Sequence, residues 1–248
     1  MRERFRPDPD LRREEMAALQ REIAREARFA DDLPFDPDRI GDPDGPLVAG
    51  VDQAFLDDRA VSAVVVLRGG TGPVVERTSA VSPLSIPYVP GLLAFREGGP
   101  ILDALDALEV DPDLFLFDGS GRIHFREAGL ATHVGVLLDA PAVGVAKSLL
   151  CGTPRGSVEG LPAGARVPIE ADDRMEATPP GTVVGYAYQS RQFDSGRINP
   201  LYVSPGHRIS AETAVDCVAA CGGGYKLPEP TRLADAHADA LKAEHAGG

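Results

Sequence analysis

The chain reads as an α/β protein with one central mixed sheet, in which three antiparallel strands are followed by parallel strands and helices flank the whole. Two patterns carry this. Three apolar runs between residues 47 and 81 are separated by short polar connections, and an apolar run, a helical stretch and a second apolar run then alternate between 114 and 146. At 248 residues and 43% apolar content the chain is long enough to bury a substantial core, so a single domain over 1–248 is expected.

Leu11, Met16, Leu19, Ile23 and Ala27 recur at helical spacing among Arg and Glu, which predicts an amphipathic helix packed on the sheet. The Asp/Pro-rich stretch from Asp31 to Pro46 has the composition of a loop. Leu47 to Phe55, Ala60 to Arg68 and Pro73 to Val81 predict three strands, with Gly69-Gly70-Thr71-Gly72 turning between the last two. Pro83, Pro87, Pro90 and Gly91 break the pattern, and Leu92 onward turns helical with Ile101, Leu102, Leu105 and Leu108 on one face.

A fourth strand is predicted at Leu114 to Asp118, a helix from Ala128 to Leu138, and a fifth strand at Ala142 to Ala146. Residues 151–181, rich in Gly, Pro and charge, read as a long excursion. Thr182 to Tyr188 and Pro200 to Val203 read as short strands, Ser210 as the N-cap of a helix through Cys221, and Glu229 to Ala243 as a terminal helix. Three antiparallel strands, a helix, then parallel strand-helix-strand is the element order of the ribonuclease-H-like fold.

No window has the apolar length of a membrane span and the N-terminus lacks a secretory signal, so a cytoplasmic protein without membrane contact is expected. Cys151, Cys217 and Cys221 are odd in number, and the last two sit four apart in an Ala/Val-rich stretch, which reads as core packing. A net charge of −13 opposes binding of a polyanion, since such affinity normally rests on Lys and Arg contacts to phosphates. The cations are 22 Arg against 3 Lys, with abundant Asp, a pattern that resembles proteins of salt-accumulating archaea. In molar salt, charge is screened within about 3 Å, and a nuclease there would rely on metal ions, a base pocket and stacking.

Asp52 follows Val48-Ala49-Gly50-Val51 and Asp118 follows Leu114-Phe115-Leu116-Phe117, so both carboxylates end buried strands, where a metal ion or an Arg would offset the cost of burial. Glu97 stands at a helix start in Phe95-Arg96-Glu97-Gly98. Each alone has an ordinary reading, as a strand terminator or a solvated charge, but together they outline an acidic pocket suited to Mg²⁺ and to phosphodiester hydrolysis. Lys147 ends the Gly144-Val145-Ala146 strand, placed either to hold the scissile phosphate or to pair with Asp118. His207, in Ser204-Pro205-Gly206-His207 before a helix, is a candidate for metal, proton transfer or phosphate contact, whereas His133 reads as structural.

Pro87-Tyr88-Val89-Pro90-Gly91-Leu92-Leu93-Ala94-Phe95-Arg96-Glu97, together with Leu116-Phe117-Asp118-Gly119, Gly129 to Gly135, Gly144 to Ser148 and Val203 to His207, resembles endonuclease V. The similarity runs from about Leu11 to Asp235, and with the Arg/Asp-rich composition it points to a haloarchaeal member. The resemblance implies a Mg²⁺-dependent repair nuclease, with Mn²⁺ as a substitute ion. It would recognise deoxyinosine in DNA and cut the second phosphodiester bond 3′ to it, leaving 3′-hydroxyl and 5′-phosphate ends.

By the same resemblance Asp52, Glu97 and Asp118 are the metal ligands, and Lys147 and His207 complete the catalytic set. Tyr88 is the wedge that fills the gap left by the extruded base, and Gly91, Leu93, Gly119 and Leu130 line the base pocket. The chain departs from the family's usual pattern at Phe125, where proline is common between His124 and Arg126, and at Gln53 beside the first aspartate. A monomer is expected. RNA containing inosine is an alternative substrate. A non-catalytic lesion-binding module is a third reading, opposed by the presence of all three carboxylates.

Overall fold

The structure, a computed structural model, describes residues 1–192 and 199–246. β1 (Leu47–Leu56), β2 (Arg59–Arg68) and β3 (Val74–Pro83) form the expected antiparallel meander, with β1 and β2 paired from Leu47↔Arg68 to Leu56↔Arg59. After α2 (Leu93–Leu105) the chain returns through β4 (Leu114–Phe117), parallel to β1, and after α3 (Leu130–Leu138) through β5 (Ala142–Ala146), parallel to β4.

Four further strands extend the sheet past β5, all antiparallel: β9 (Leu201–His207), β8 (Val183–Tyr188), β7 (Arg166–Glu170) and β6 (Thr153–Pro154). The resulting nine-stranded order is β3-β2-β1-β4-β5-β9-β8-β7-β6. The segment 151–181, expected as an excursion, thus contains two strands. Pro154 in β6 and Pro168 in β7 hide them, because proline removes a ladder donor and is tolerated near sheet edges.

The period-two alternation of β1 divides the core. Ala49 and Val51 face α2, α3 and α1 (Arg13–Glu26), where Ile23, Ile101, Leu102, Phe117 and Val134 form one cluster. Val48 faces the other way and joins Leu116, Val143, Val145 and Val203 beneath α4 (Ala211–Ala220). Each large side chain fully buried in these layers contributes about 1.5–3 kcal/mol. The three cysteines are buried and free, and burial pushes the Cys151 and Cys217 thiols up to about 12, consistent with packing rather than redox chemistry.

α5 (Glu229–Ala246) lies across β1 and β2, with Ala234 against Val65 and Leu67, and Ala238 against Ala54 and Ala63. Its entry rests on Gly50, where a β-carbon would fall 2.0 Å from the Pro230 carbonyl carbon. Only glycine permits that approach, and the approach sets how the following turns of α5 pass the end of β1.

Candidate active site

Alternation carries the acidic residues to one side of the sheet. Val48, Gly50 and Asp52 share a face of β1, Leu114 and Leu116 lead to Asp118 on β4, and Val143 and Val145 lead to Lys147 on β5. The parallel register Val51↔Phe117 sets the two aspartates side by side, and the Asp118 amide donates to the Val51 carbonyl at 3.0 Å. Lys147 Nζ donates to Asp118 Oδ2 at 2.7 Å, so the pairing open from sequence is formed.

Asp52 is 6% exposed; its Oδ1 accepts the Gln53 amide at 2.7 Å while Oδ2 is buried without a partner. Burial first, then the charge of Asp118, pushes its carboxyl up to about 8, against the attraction of Lys147. Glu97, on α2, is raised to about 7, chiefly by burial, with the neighbouring Arg96 opposing and Asp118 adding to the rise. Arg96 lies 3.4 Å from Glu97 Oε1.

Among the described residues no three acidic, histidine or cysteine side chains form a ready-made metal cage. The chemistry of the donor set nonetheless suits a divalent cation. A buried Asp52 oxygen with no donor, beside Asp118, whose charge raises both Asp52 and Glu97, marks negative charge that Lys147 and Arg96 do not fully offset.

Next to these groups lies a cavity of about 320 Å³. Glu97, Asp118 and Lys147 are among its lining residues, and so are Tyr88 and Gly91, Leu93, Gly119 and Leu130, the four residues expected around a base. Tyr88 is 65% exposed in the loop before α2, a costly place for an aromatic ring with nothing to cover it. Gly119 and Leu130 meet across the floor, since a β-carbon on Gly119 would lie 3.1 Å from Leu130 Cδ2.

Both departures from the family pattern are absorbed by packing. Phe125 sits against Gly91, and the turn that lacks proline is braced by Arg126 N–H donating to His124 Nδ1 at 3.1 Å and by Glu176 N–H donating to the Phe125 carbonyl at 2.9 Å. Gln53 Nε2 donates to Ser62 Oγ at 2.6 Å and reaches the Glu97 carbonyl at 3.4 Å, tying α2 to the strand that carries Asp52.

His207 is not brought into this cluster. β9 runs antiparallel to β5, so His207 pairs with Ala142 at the opposite end from Lys147, about 16 Å away along the strand. It is fully buried under α3, accepting the Arg28 amide on Nδ1 at 3.2 Å and meeting Asp139 Oδ1 through Nε2 at 3.2 Å. Arg2 holds the same Asp139 oxygen at 2.8 Å, so the imidazole is a node joining the N-terminal segment, α3 and β9. His133, fully buried with Nε2 on the Phe5 carbonyl at 2.8 Å, is structural as expected.

Sequence reading missed Asp235. Its charge acts on both Asp52 and Lys147, which places this α5 carboxylate at the site as a fourth acidic group. The available signal was Ala234 and Ala238, one turn apart in a polar helix, which mark the face of α5 that meets the sheet beside Asp235.

The sequence profile of endonuclease V matches residues 36–236. An endonuclease V from Natronomonas pharaonis, a haloarchaeon, is 71% identical over 246 residues, covering 99% of this chain and 98% of that protein. The crystal structure of endonuclease V from Streptomyces avermitilis superposes with a TM-score of 0.79 at 37% identity, covering 95% of each chain. That of Ciona intestinalis endonuclease V, in complex with a 24mer DNA containing an inosine followed by a ribo-adenosine, gives 0.75 at 27% identity, covering 93% of this chain and 98% of that one. The ribonuclease-H-like sheet and the profile over most of the sequence agree: the chain belongs to the endonuclease V family of metal-dependent nucleases.

Proposed function

We propose that the chain is a DNA repair endonuclease that recognises deoxyinosine, the product of adenine deamination. It hydrolyses the second phosphodiester bond on the 3′ side, leaving 3′-hydroxyl and 5′-phosphate ends. The observation that carries this is the adjacency of a base-sized cavity to the carboxylates, with Glu97 and Asp118 lining both. The inosine-containing DNA held by the Ciona relative supports the same substrate.

In this reading Tyr88 stacks in the gap left by the extruded base, which enters the space between Gly91 and Leu93 on one side and Gly119 and Leu130 on the other. Asp52, Glu97 and Asp118 would hold Mg²⁺, with Mn²⁺ as a substitute, and Asp235 adds negative charge beside them. When bound, the ion lowers the pKa of water and neutralises charge on the leaving oxygen. Lys147 is held by Asp118 with its ammonium toward the cavity, placed to attract the scissile phosphate. Because the protein carries a net charge of −13, affinity depends on these local contacts and on stacking rather than on a basic surface. The chain acts as one domain and a monomer.

The test is a nicking assay on one duplex with a single inosine and on its unmodified counterpart, in Mg²⁺ or EDTA at low and molar KCl, with the ends mapped. The expected product is a nick at the second 3′ bond, dependent on inosine and Mg²⁺. Equal cutting of both duplexes, or binding with no product in Mg²⁺, would overturn the reading.

A second reading takes RNA as the main substrate. The ribo-adenosine after inosine in the Ciona complex favours it, because a ribose is accommodated there 3′ to the lesion. Cleavage of matched inosine DNA and RNA side by side decides between them.

A further inference from the structure

We infer that Gln20, on α1 and outside the residues matched by the family profile, is a positioning residue that sets the spacing between the two walls of the base pocket. The inference rests on the reading of the cavity as a base pocket.

Gln20 is 1% exposed and lines the cavity. Its Nε2 donates to the Gly91 carbonyl at 2.9 Å and to the Ala128 carbonyl at 3.3 Å, while its Oε1 accepts from Arg126 Nε at 2.8 Å. Gly91 closes the Tyr88 loop, and Ala128 is followed by Gly129, the N-cap of α3, and by Leu130 at its start. One side chain therefore joins the wall that carries the wedge to the wall that carries Leu130.

The Gly91 carbonyl is the hub of this clamp. His124 Nδ1 accepts the Arg126 amide, so the ring proton sits on Nε2 and donates to the same carbonyl at 3.1 Å. Burial lowers the imidazole to about 4, which keeps it neutral in that role. Gly91 has φ +80, a conformation open chiefly to glycine, so its loop is held by these donors rather than by its own backbone preference.

The chemistry requires glutamine. Two donors and one acceptor are used at once, and an ionised glutamate would keep Arg126 but turn oxygen toward both carbonyls.

Single-turnover nicking of an inosine duplex against enzyme concentration tests this, with melting temperature recorded for each variant. For Gln20→Glu the expected result is a half-saturating concentration raised about tenfold, with the saturating rate within about twofold of wild type. Gln20→Met, which fills a similar volume without donors or charge, should behave alike and covers the case in which Gln20→Glu does not fold. Wild-type half-saturation in a folded variant would overturn the inference. So would a loss confined to melting temperature and active fraction, which is the mark of a merely structural side chain. If wild type shows no preference for inosine, the pocket reading fails and this inference falls with it; if wild type prefers inosine and both variants keep its half-saturation, only the role of Gln20 fails.

Discussion

Replacing Asp52 by Asn removes a buried negative charge while keeping shape. In the metal-free protein the Asp52 carboxyl is raised from 3.8 to about 8 by burial and by Asp118. Between those values the folded state binds more protons than the unfolded one, so stability falls as pH rises from about 4 to 8. This is the reverse of a salt-bridged carboxylate. At 1.36 kcal/mol per unit the full shift would cost about 5–6 kcal/mol at pH 8. Asp118 shares the repulsion and the new amide gains no assured partner, so about 2–3 kcal/mol is expected to be recovered.

In a chain of this length that raises the melting temperature by about 4–12 °C. Thermal unfolding in EDTA at half-unit steps from pH 5 to 8 measures it. Asp52→Asn should be nearly level with wild type at pH 5 and increasingly more stable toward pH 8. Added Mg²⁺ should stabilise wild type and leave the variant almost unchanged. A difference independent of pH, or a variant less stable than wild type at pH 8, would refute the account of Asp52 as a carboxylate lacking a cation.

His207→Gln is expected to lower stability through the Asp139 and Arg28 contacts by about 1–3 kcal/mol, seen as a lower melting temperature, while the folded fraction nicks at close to the wild-type rate; a rate loss of a hundredfold or more at unchanged stability would point to a catalytic role for His207. Asp235→Asn should slow cleavage at saturating substrate with little change in stability, read by single-turnover kinetics, because its charge acts on Asp52 and Lys147. Tyr88→Ala should weaken binding of inosine duplex by about 1–3 kcal/mol in a titration while leaving melting temperature unchanged, since the ring is exposed.

The parts of the fold written in hydrophobic periodicity were legible. Val48 to Val51 and Leu114 to Phe117 announce buried strands, and the helical spacing of Met16, Leu19 and Ile23 announces α1. β6 and β7 were not legible, because Pro154 and Pro168 remove the alternation and the donors that identify a strand. The side-by-side placement of Asp52 and Asp118 was readable because each carboxylate ends an apolar run that has to be buried.

The distance of His207 from the carboxylates is a matter of topology. Ser204-Pro205-Gly206-His207 follows the strand expected to end at Val203, yet it completes β9, whose antiparallel pairing with β5 carries His207 to the opposite end of that strand from Lys147. Asp235 was hidden by its setting in a helix rich in Ala and charge, where an aspartate looks solvated. Its approach to the site depends on Gly50 admitting Pro230, a contact between positions far apart in sequence. Gln20 was invisible for the same kind of reason, as a polar residue inside an Arg/Glu-rich helix whose partners lie on two distant loops.

In the proposed function the Asp118 strand end serves both cleavage and the base pocket, with the carboxylate needed for cutting and not for recognition. Asp118→Ala on an inosine duplex in Mg²⁺ tests it most directly, with nicking and binding measured on the same preparation. Cutting at the second 3′ bond is expected to be abolished while preference for inosine over unmodified duplex is retained. Cutting at near the wild-type rate would contradict it.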